Sequence, residues 1–409
     1  MPQIENLVDK LTVHLSEDAR ELLASVRSSA DAGGARAFLT GGTIRDLLLD
    51  RESLDVDITI EGDAIAVARE VASATGARLA KTTTFGTATL KTADFSLDLA
   101  TTREESYARP GALPKVRSST IENDLLRRDF TINAMAYRLS DGTILDPAGG
   151  LQDLKAGLVR ILHDGSFRDD ATRILRAVRY EARFGFRIEE HTLDLLRRDL
   201  RFIDTISGTR IRQELTRTLA EPAPERALLR MQELQVLGAI HLDFSFDQEQ
   251  ADGMVRLREM KAPSSAAWAV LAWNTTRLDD LARRLALTRV QRDAVIAIEP
   301  ARAAVKGIST VTRLSEVAEL LDRLPFPTAC ALAAITGNSR AERYVTSLRN
   351  VKPLLRGDDV IDAGVPRGPD VALVLGMLRA AKLDGEVKAR EDEQRLIEEF
   401  LARERIGLA

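Results

Sequence analysis

The sequence predicts an α+β chain: a mixed α/β head over residues 1–150, followed by a long all-helical remainder. Three observations predict it. The N-terminal third mixes two-residue and helical periods, whereas from about residue 151 the helical period dominates and Pro and Gly stay sparse until 350–370. Aromatic residues are only 4% of the chain, and Ala, Leu and Arg are plentiful, a bias toward helices over sandwiches. At 409 residues the chain exceeds one ordinary core.

Taken in order, residues 4–28 read as an amphipathic helix. AFLTGG is a short strand entering a glycine turn, and TIRDLLLD starts a helix. LDVDITI alternates: Val56, Ile58 and Ile60 share one face, and Asp55, Asp57 and Thr59 the other. DAIAVAREVASATG is a helix closed by Gly76. Two strands follow, ATLK and DFSLDLA, turning around Thr92 and Ala93. In the second, Phe95, Leu97 and Leu99 oppose Asp98. Residues 103–120, with Pro110, Gly111 and Pro114, read as a loop. A helix is expected from Ile121 through RRDFTINAMAY, then a strand pair around GTILDP and a turn at Gly149-Gly150.

Composition excludes several classes. Cys330 is the single cysteine, so no intramolecular disulfide framework exists, and with four histidines a zinc finger or ribbon is excluded. MPQIENLVDKLTVHL lacks the basic start and apolar core of a signal peptide, and no apolar run reaches membrane-spanning length. A cytoplasmic location and no membrane partner are expected. The formal net charge of -4 does not advertise a nucleic-acid partner, yet phosphates feel local charge. Residues 160–217 hold 13 Arg against 10 Asp plus Glu, a modest local excess that also suits a solvated helical surface.

Asp55 and Asp57 stand two apart on a strand, so both carboxylates point to one face. Hard Mg²⁺ takes oxygen ligands, and two carboxylates plus substrate phosphates suffice for a site; the plainer reading is two solvated aspartates. Gly41-Gly42 precedes a helix carrying Arg45 and Asp46, an arrangement able to meet a phosphate, or a simple tight turn. It is neither a P-loop nor a Rossmann fingerprint. Asp98 is a third acidic candidate, or an ordinary exposed aspartate. In RRDFTINA, Arg128, Asp129 and Asn133 are candidates for triphosphate and ribose, while Phe130, Ile132 and Met135 read as core. In DDATRILRAVRYEAR, Arg173, Arg176, Arg179 and Arg183 are spaced to line one helix face, and Asp170 and Arg173 are close enough to reach one ligand.

In this order, GGTIRD, DVD, RRDFTINAMA and DDATRILRAVRYEARFGF resemble the bacterial class of CCA-adding tRNA nucleotidyltransferases, which includes poly(A) polymerases. GDDVIDAGVPRGPDVALVLGMLRAAKLDGEV is similar to the family's tail segment. The resemblance implies a polymerase-β-like head (1–150) and helical neck (151–220), body (221–305) and tail (306–409). It implies Mg²⁺ on Asp55 and Asp57; Asp98 stands as a catalytic candidate on its strand face alone. Gly42, Arg45 and Arg128 correspond to contacts with nucleotide phosphates and sugar, and Gly41, Asp129 and Asn133 are nucleotide-binding candidates beside them. Asp170, Arg173, Arg176 and Arg179 correspond to the segment that selects the incoming base. Cytosine and adenine both set an amino donor beside a ring-nitrogen acceptor, so a carboxylate and a guanidinium can read both and reject uracil and guanine. The implied partners are tRNA, CTP and ATP. REESYARPGALPKV resembles the branch containing enzymes that add only the terminal A. Restricted A or CC addition, poly(A) synthesis and a non-catalytic RNA-binding protein remain the alternatives.

Overall fold

The computed structural model describes Leu7, Val13 and residues 15–51, 56–106, 109–112 and 115–407. These fall into two compact units, 1–210 and 211–409.

In the first unit, helix α1 is Glu17–Ala32, capped by the Ser16 hydroxyl, which accepts from the Ala19 N–H. Leu7 and Val13 are helical, so the expected helix over 4–28 is interrupted at Leu15–Ser16 and runs on to Ala32. Ser16 followed by Glu17 and Asp18 is an N-terminal signature that the apolar pattern overrode; most of 4–14 lies outside the described residues. Strand β1 (Arg36–Thr40) leads through Gly41 into α2 (Gly42–Leu48). Then come β2 (Val56–Glu61) and α3 (Ala64–Thr75). Asp63 caps α3, accepting from the Ile65 and Ala66 N–H groups at 2.9 and 3.0 Å, and Gly76 closes it with φ 73°.

A polar strand that carries no apolar alternation, β3 (Arg78–Thr82), precedes β4 (Thr87–Lys91) and β5 (Ser96–Thr101). Residues 103–120 are not simply a loop. β6 (Arg103–Ser106) and β7 (Lys115–Ser118) pair as a separate antiparallel ribbon. Its backbone pairing leaves mostly exposed or half-exposed side chains, so the two-residue hydrophobic signal is absent.

Helix α4 (Ile121–Leu126), capped by Thr120, stops before RRDFTINAMAY instead of running through it. Phe130 is extended and bridges to Ile161, Thr131–Asn133 is one 3₁₀ turn, and Ala136–Arg138 is strand β8, paired with β9 (Ile144–Leu145). Tertiary pairing with β1 outweighs helix propensity here. α5 (Gly150–Ala156), β10 (Leu158–Val159), α6 (Ser166–Asp169), α7 (Thr172–Phe184), β11 (Arg187–Ile188) and α8 (Glu190–Asp199) follow. β10 and β11 form a short parallel pair within the stretch expected to be purely helical.

The main sheet runs β3-β4-β5-β2-β1-β8-β9. One face, including Leu39, Ile58, Leu90, Leu97 and Leu99, is buried, and α1 and α3 pack with these strands. The other face carries Asp57, Thr59 and Asp98, and also Phe38, which packs in a second core with Ile121, Leu125, Ala134 and Ala136. The β2–β5 pairing is parallel and places Asp57 directly beside Asp98.

The second unit is helical. Thr328–Ile335, inside helix Phe326–Thr336, is buried throughout, as expected for a helix apolar on all sides. Further on, Leu355, Val360, Val365, Val374, Leu378 and Ile397 make a separate core. Among the described residues no helix is long and apolar enough to cross a membrane.

Candidate active site

Strand alternation sends Asp57 and Asp98 to the solvent-facing side of the sheet, where both are exposed. The Asp57 N–H donates to the Thr43 hydroxyl at 3.0 Å, which ties β2 to the turn at Gly41-Gly42. Asp98 accepts from the Thr89 hydroxyl at 2.6 Å. Asp55 lies outside the described residues, and no group of three or more metal-ligating side chains occurs among those described. The donor set fits a hard divalent cation nevertheless: two carboxylates on adjacent strands offer oxygen ligands on one open surface.

Gly41 has φ 64°, and a Cβ there would sit 2.6 Å from Arg128 Nη1, so the turn brings backbone against that guanidinium. Arg128 is held by Asp124 (Nη2 to Oδ2, 3.0 Å), and Arg127 by the same carboxylate (Nη2 to Oδ1, 2.7 Å). Asp124 also accepts from the Arg103 N–H. Burial alone would raise the Asp124 pKa; Arg128 and Arg127 outweigh it and hold the carboxyl below the usual range. The sequence reading missed this anchor. Its signal was the three- and four-residue spacing of Asp124 to the two arginines.

Asp129 is buried. Burial would raise its pKa, but Arg176 and the Asn133 amide lower it to about 2. Arg176 Nε donates to Asp129 Oδ2 at 2.7 Å, and Asn133 Nδ2 to Asp129 Oδ1 at 2.9 Å. Arg45 is buried, donates to Asp46 and, at 2.5 Å, to Asn133 Oδ1, and lies over the rings of Tyr180 and Phe184 at 5.3 and 4.6 Å. It is thus a member of an internal network more than a mobile surface cation.

Asp170, just before the Ala171 N-cap of α7, accepts from the Thr172 N–H at 3.0 Å and hydroxyl at 2.7 Å. Its other oxygen accepts from Arg210 Nη2 at 2.7 Å. Arg173 donates to Ser166 Oγ at 2.5 Å and to the Arg127 carbonyl at 2.9 Å. Asp170 Oδ2 keeps a second lone pair for a ligand, and the Arg173 guanidinium has five N–H donors.

Gly41, Gly42, Arg45, Asp57, Arg128, Asp129, Asn133, Asp170, Arg173 and Arg176 all line one cavity of 540 Å³, joined by Arg103, Glu105, Arg127, Thr172 and Tyr180. Asp98 lines a neighbouring cavity of 350 Å³ that shares Asp57, Arg103, Arg127 and Arg128. Arg179 does not line either; it is buried with its guanidinium 4.9 Å from the Tyr180 ring. The four arginines of α7 therefore do not make one solvated face. Each three-residue step at 3.6 residues per turn rotates the side chain about 60° further round the helix, carrying Arg179 away from Arg173.

Paired carboxylates beside an arginine-lined cavity suit the handling of nucleoside triphosphates. Residues 37–160 match the poly A polymerase head domain, and residues 185–245 the probable RNA and SrmB-binding site of polymerase A. The chain is 33% identical to an A-adding tRNA nucleotidyltransferase of Geobacter sulfurreducens over 95% of its own length, spanning about half (48%) of that relative. It is 32% identical to the A-adding tRNA nucleotidyltransferase of Halalkalibacterium halodurans, covering 97% of this chain and 96% of that one. An apo structure of a CCA-adding enzyme superposes with a TM-score of 0.83 at 30% identity, over 97% of this chain and 98% of the other. The chain belongs to the family of tRNA nucleotidyltransferases that carry a poly(A) polymerase head.

Proposed function

We propose that the chain adds C and/or A residues of the CCA sequence to tRNA 3′ ends, from CTP and ATP and without a nucleic-acid template. The observation that carries this reading is the parallel register setting Asp57 beside Asp98 at the edge of the arginine-lined cavity. In this reading the tRNA 3′-hydroxyl attacks the α-phosphorus. The new O3′–P bond forms as the bond to the β-phosphate oxygen breaks, and pyrophosphate leaves. Asp98 accepts the hydroxyl proton. The Gly41-Gly42 turn and Arg128 face the triphosphate, with Arg128 pre-oriented by Asp124 so that little reorganisation accompanies charge development. Arg45, Asp129 and Asn133 act as one hydrogen-bonded unit that shapes the sugar side of the pocket. Asp170 accepts from the exocyclic amino group of the base and Arg173 donates to its ring nitrogen, while Arg176 holds Asp129 and Arg179 packs behind Tyr180.

Family members typically use a divalent metal. Mg²⁺ held by Asp55 and Asp57 would supply charge neutralisation at the α-phosphate and the departing pyrophosphate. We assign nucleotide selection to the neck, 151–220, and tRNA binding to the tail, 306–409, in a cytoplasmic enzyme.

A narrower activity, addition of the terminal A alone, is favoured by the two A-adding relatives and by the REESYARPGALPKV segment. One experiment tests both readings. The purified chain is given tRNA ending before CCA, after one C or after CC, with CTP, ATP or both, and the products are sized. Full addition extends all three substrates; an A-adding enzyme extends only the CC-ended one. Tight tRNA binding without any extension would leave a non-catalytic RNA-binding protein.

A further inference from the structure

A larger cavity of 830 Å³ lies beside the carboxylate face, between the turn before β4, the ends of β2 and β5, and the β6–β7 ribbon. Its charge is one-sided. Arg103, Lys115 and Arg117 line it, and neither Lys115 nor Arg117 has an ion-pair partner among the described residues. The single acid on its wall, Asp63, already serves as the α3 cap.

The lip of this cavity carries Phe85, 60% exposed. The turn that presents it is well fastened. The Phe85 N–H donates to the Thr83 hydroxyl, Gly86 N–H donates to the Thr83 carbonyl at 3.2 Å, Gly86 adopts φ 71°, and the Thr83 and Thr87 hydroxyls share a 2.6 Å bond. A large aromatic is thereby fixed in solvent next to unpaired cations. That is the combination that binds single strands: cations track phosphates, and an aromatic face stacks a base without regard to its identity. Arg103 gives the cavity its continuity with the reaction centre, since it lines this cavity, the arginine-lined one and the one bearing Asp98. Its Nε is buried without a hydrogen-bond partner.

We propose that this groove binds the single-stranded 3′ tail of the RNA acceptor, with a base stacked on Phe85 and two phosphates on Lys115 and Arg117. The proposal rests on the transferase reading for the identity of the RNA, but the groove is testable by binding alone. The full-length chain is titrated with a labelled RNA hairpin bearing a single-stranded 3′ tail ending in CC, and with the same hairpin made blunt. Phe85→Ala should weaken binding of the tailed hairpin about tenfold and of the blunt one not at all, and Phe85→Trp should restore it. Lys115→Ala combined with Arg117→Ala should reduce the slope of log affinity against log salt by about 1.4, the value for two single-strand phosphate contacts. The KM for ATP should be unchanged in both. Equal weakening of tailed and blunt hairpins would overturn the proposal. So would a raised KM for ATP with unaltered RNA binding, which would make the groove a nucleotide or pyrophosphate site. Tail-specific binding by a chain that transfers no nucleotide would sustain the groove while removing the transferase reading.

Discussion

The two units handle buried charge differently. In residues 1–210 Arg45, Asp46, Asp124, Asp129, Asp153, Arg173, Arg179 and Asp199 are all buried, and five of them (Arg45, Asp46, Asp124, Asp129 and Arg173) line the arginine-lined cavity or bond directly to a residue that does. In residues 211–409 the buried acids are Glu214 and Glu393, among cores of Leu, Val, Ala and Ile. Glu393 illustrates the contrast. It accepts the Leu354 and Leu355 N–H groups at 2.9 and 2.8 Å, tying the last helix to that distant segment. Asp124 is equally buried but anchors two arginines that face a ligand cavity. Burying a charge is costly unless it is paired, so a concentration of such groups marks where the fold gives stability to chemistry. By the same measure the second unit shows no such concentration among its described residues.

The largest expected effect separates chemistry from folding outright. Asp57→Ala should lower nucleotide transfer by about a thousandfold or more, the scale of several kcal/mol of lost charge stabilisation. Its exposed side chain should leave the unfolding midpoint nearly unchanged. Normal turnover with Mg²⁺ would remove Asp57 from the reaction centre.

Asp124→Ala against Glu393→Ala tests the contrast most directly. Removing Asp124 takes the carboxylate partner from Arg128 and leaves Arg127 only Glu105, and should cost about 3 kcal/mol of stability while also raising the KM for nucleotide. Glu393→Ala should cost about 2 kcal/mol through two unpaired N–H groups and leave the KM of the surviving folded enzyme alone. Urea unfolding and steady-state kinetics on both variants decide it; a changed nucleotide KM in Glu393→Ala would mean the second unit is more than scaffold.

Acid titration probes one group. The Asp129 pKa is lower in the folded chain, about 2, than its ordinary value of 3.8. Its contribution is therefore fully present above about pH 4 and is lost as pH falls toward about 2, an effect of roughly 2 kcal/mol. The stability gap between the chain and Asp129→Asn should narrow across that window. A constant gap would show that the Arg176 pairing does not favour the ionised form.

Smallest and most specific is base choice. Asp170→Ala should reduce discrimination of CTP and ATP against UTP and GTP by about tenfold, with triphosphate affinity less affected. Unchanged discrimination in competitive incorporation would move base reading away from α7.

Much of this was legible in the primary sequence because it is local. Period-two alternation in LDVDITI placed Asp57 opposite Val56, Ile58 and Ile60, and Asp63 and Gly76 bound α3 as cap and stop. Order of motifs along the chain carried the family. Two of the errors share one cause. Helix α4 ends early because β1 captures Ala136–Arg138, and the β6–β7 ribbon forms although its side chains carry no alternating pattern. Such pairings depend on a partner distant in sequence, which no local window contains.

The sequence by itself determined residue chemistry and local direction: which carboxylates share a strand face, which arginines recur along a helix, and where glycine permits a close turn. Only the tertiary structure decided the rest. It set Asp98 beside Asp57 through a parallel pairing across forty-one residues, turned Arg45 inward onto Asn133, and clamped Arg128 with Asp124. The physical reason is that a side chain's direction follows from its own backbone, whereas its partners, its burial and hence its ionisation follow from what other segments bring to it.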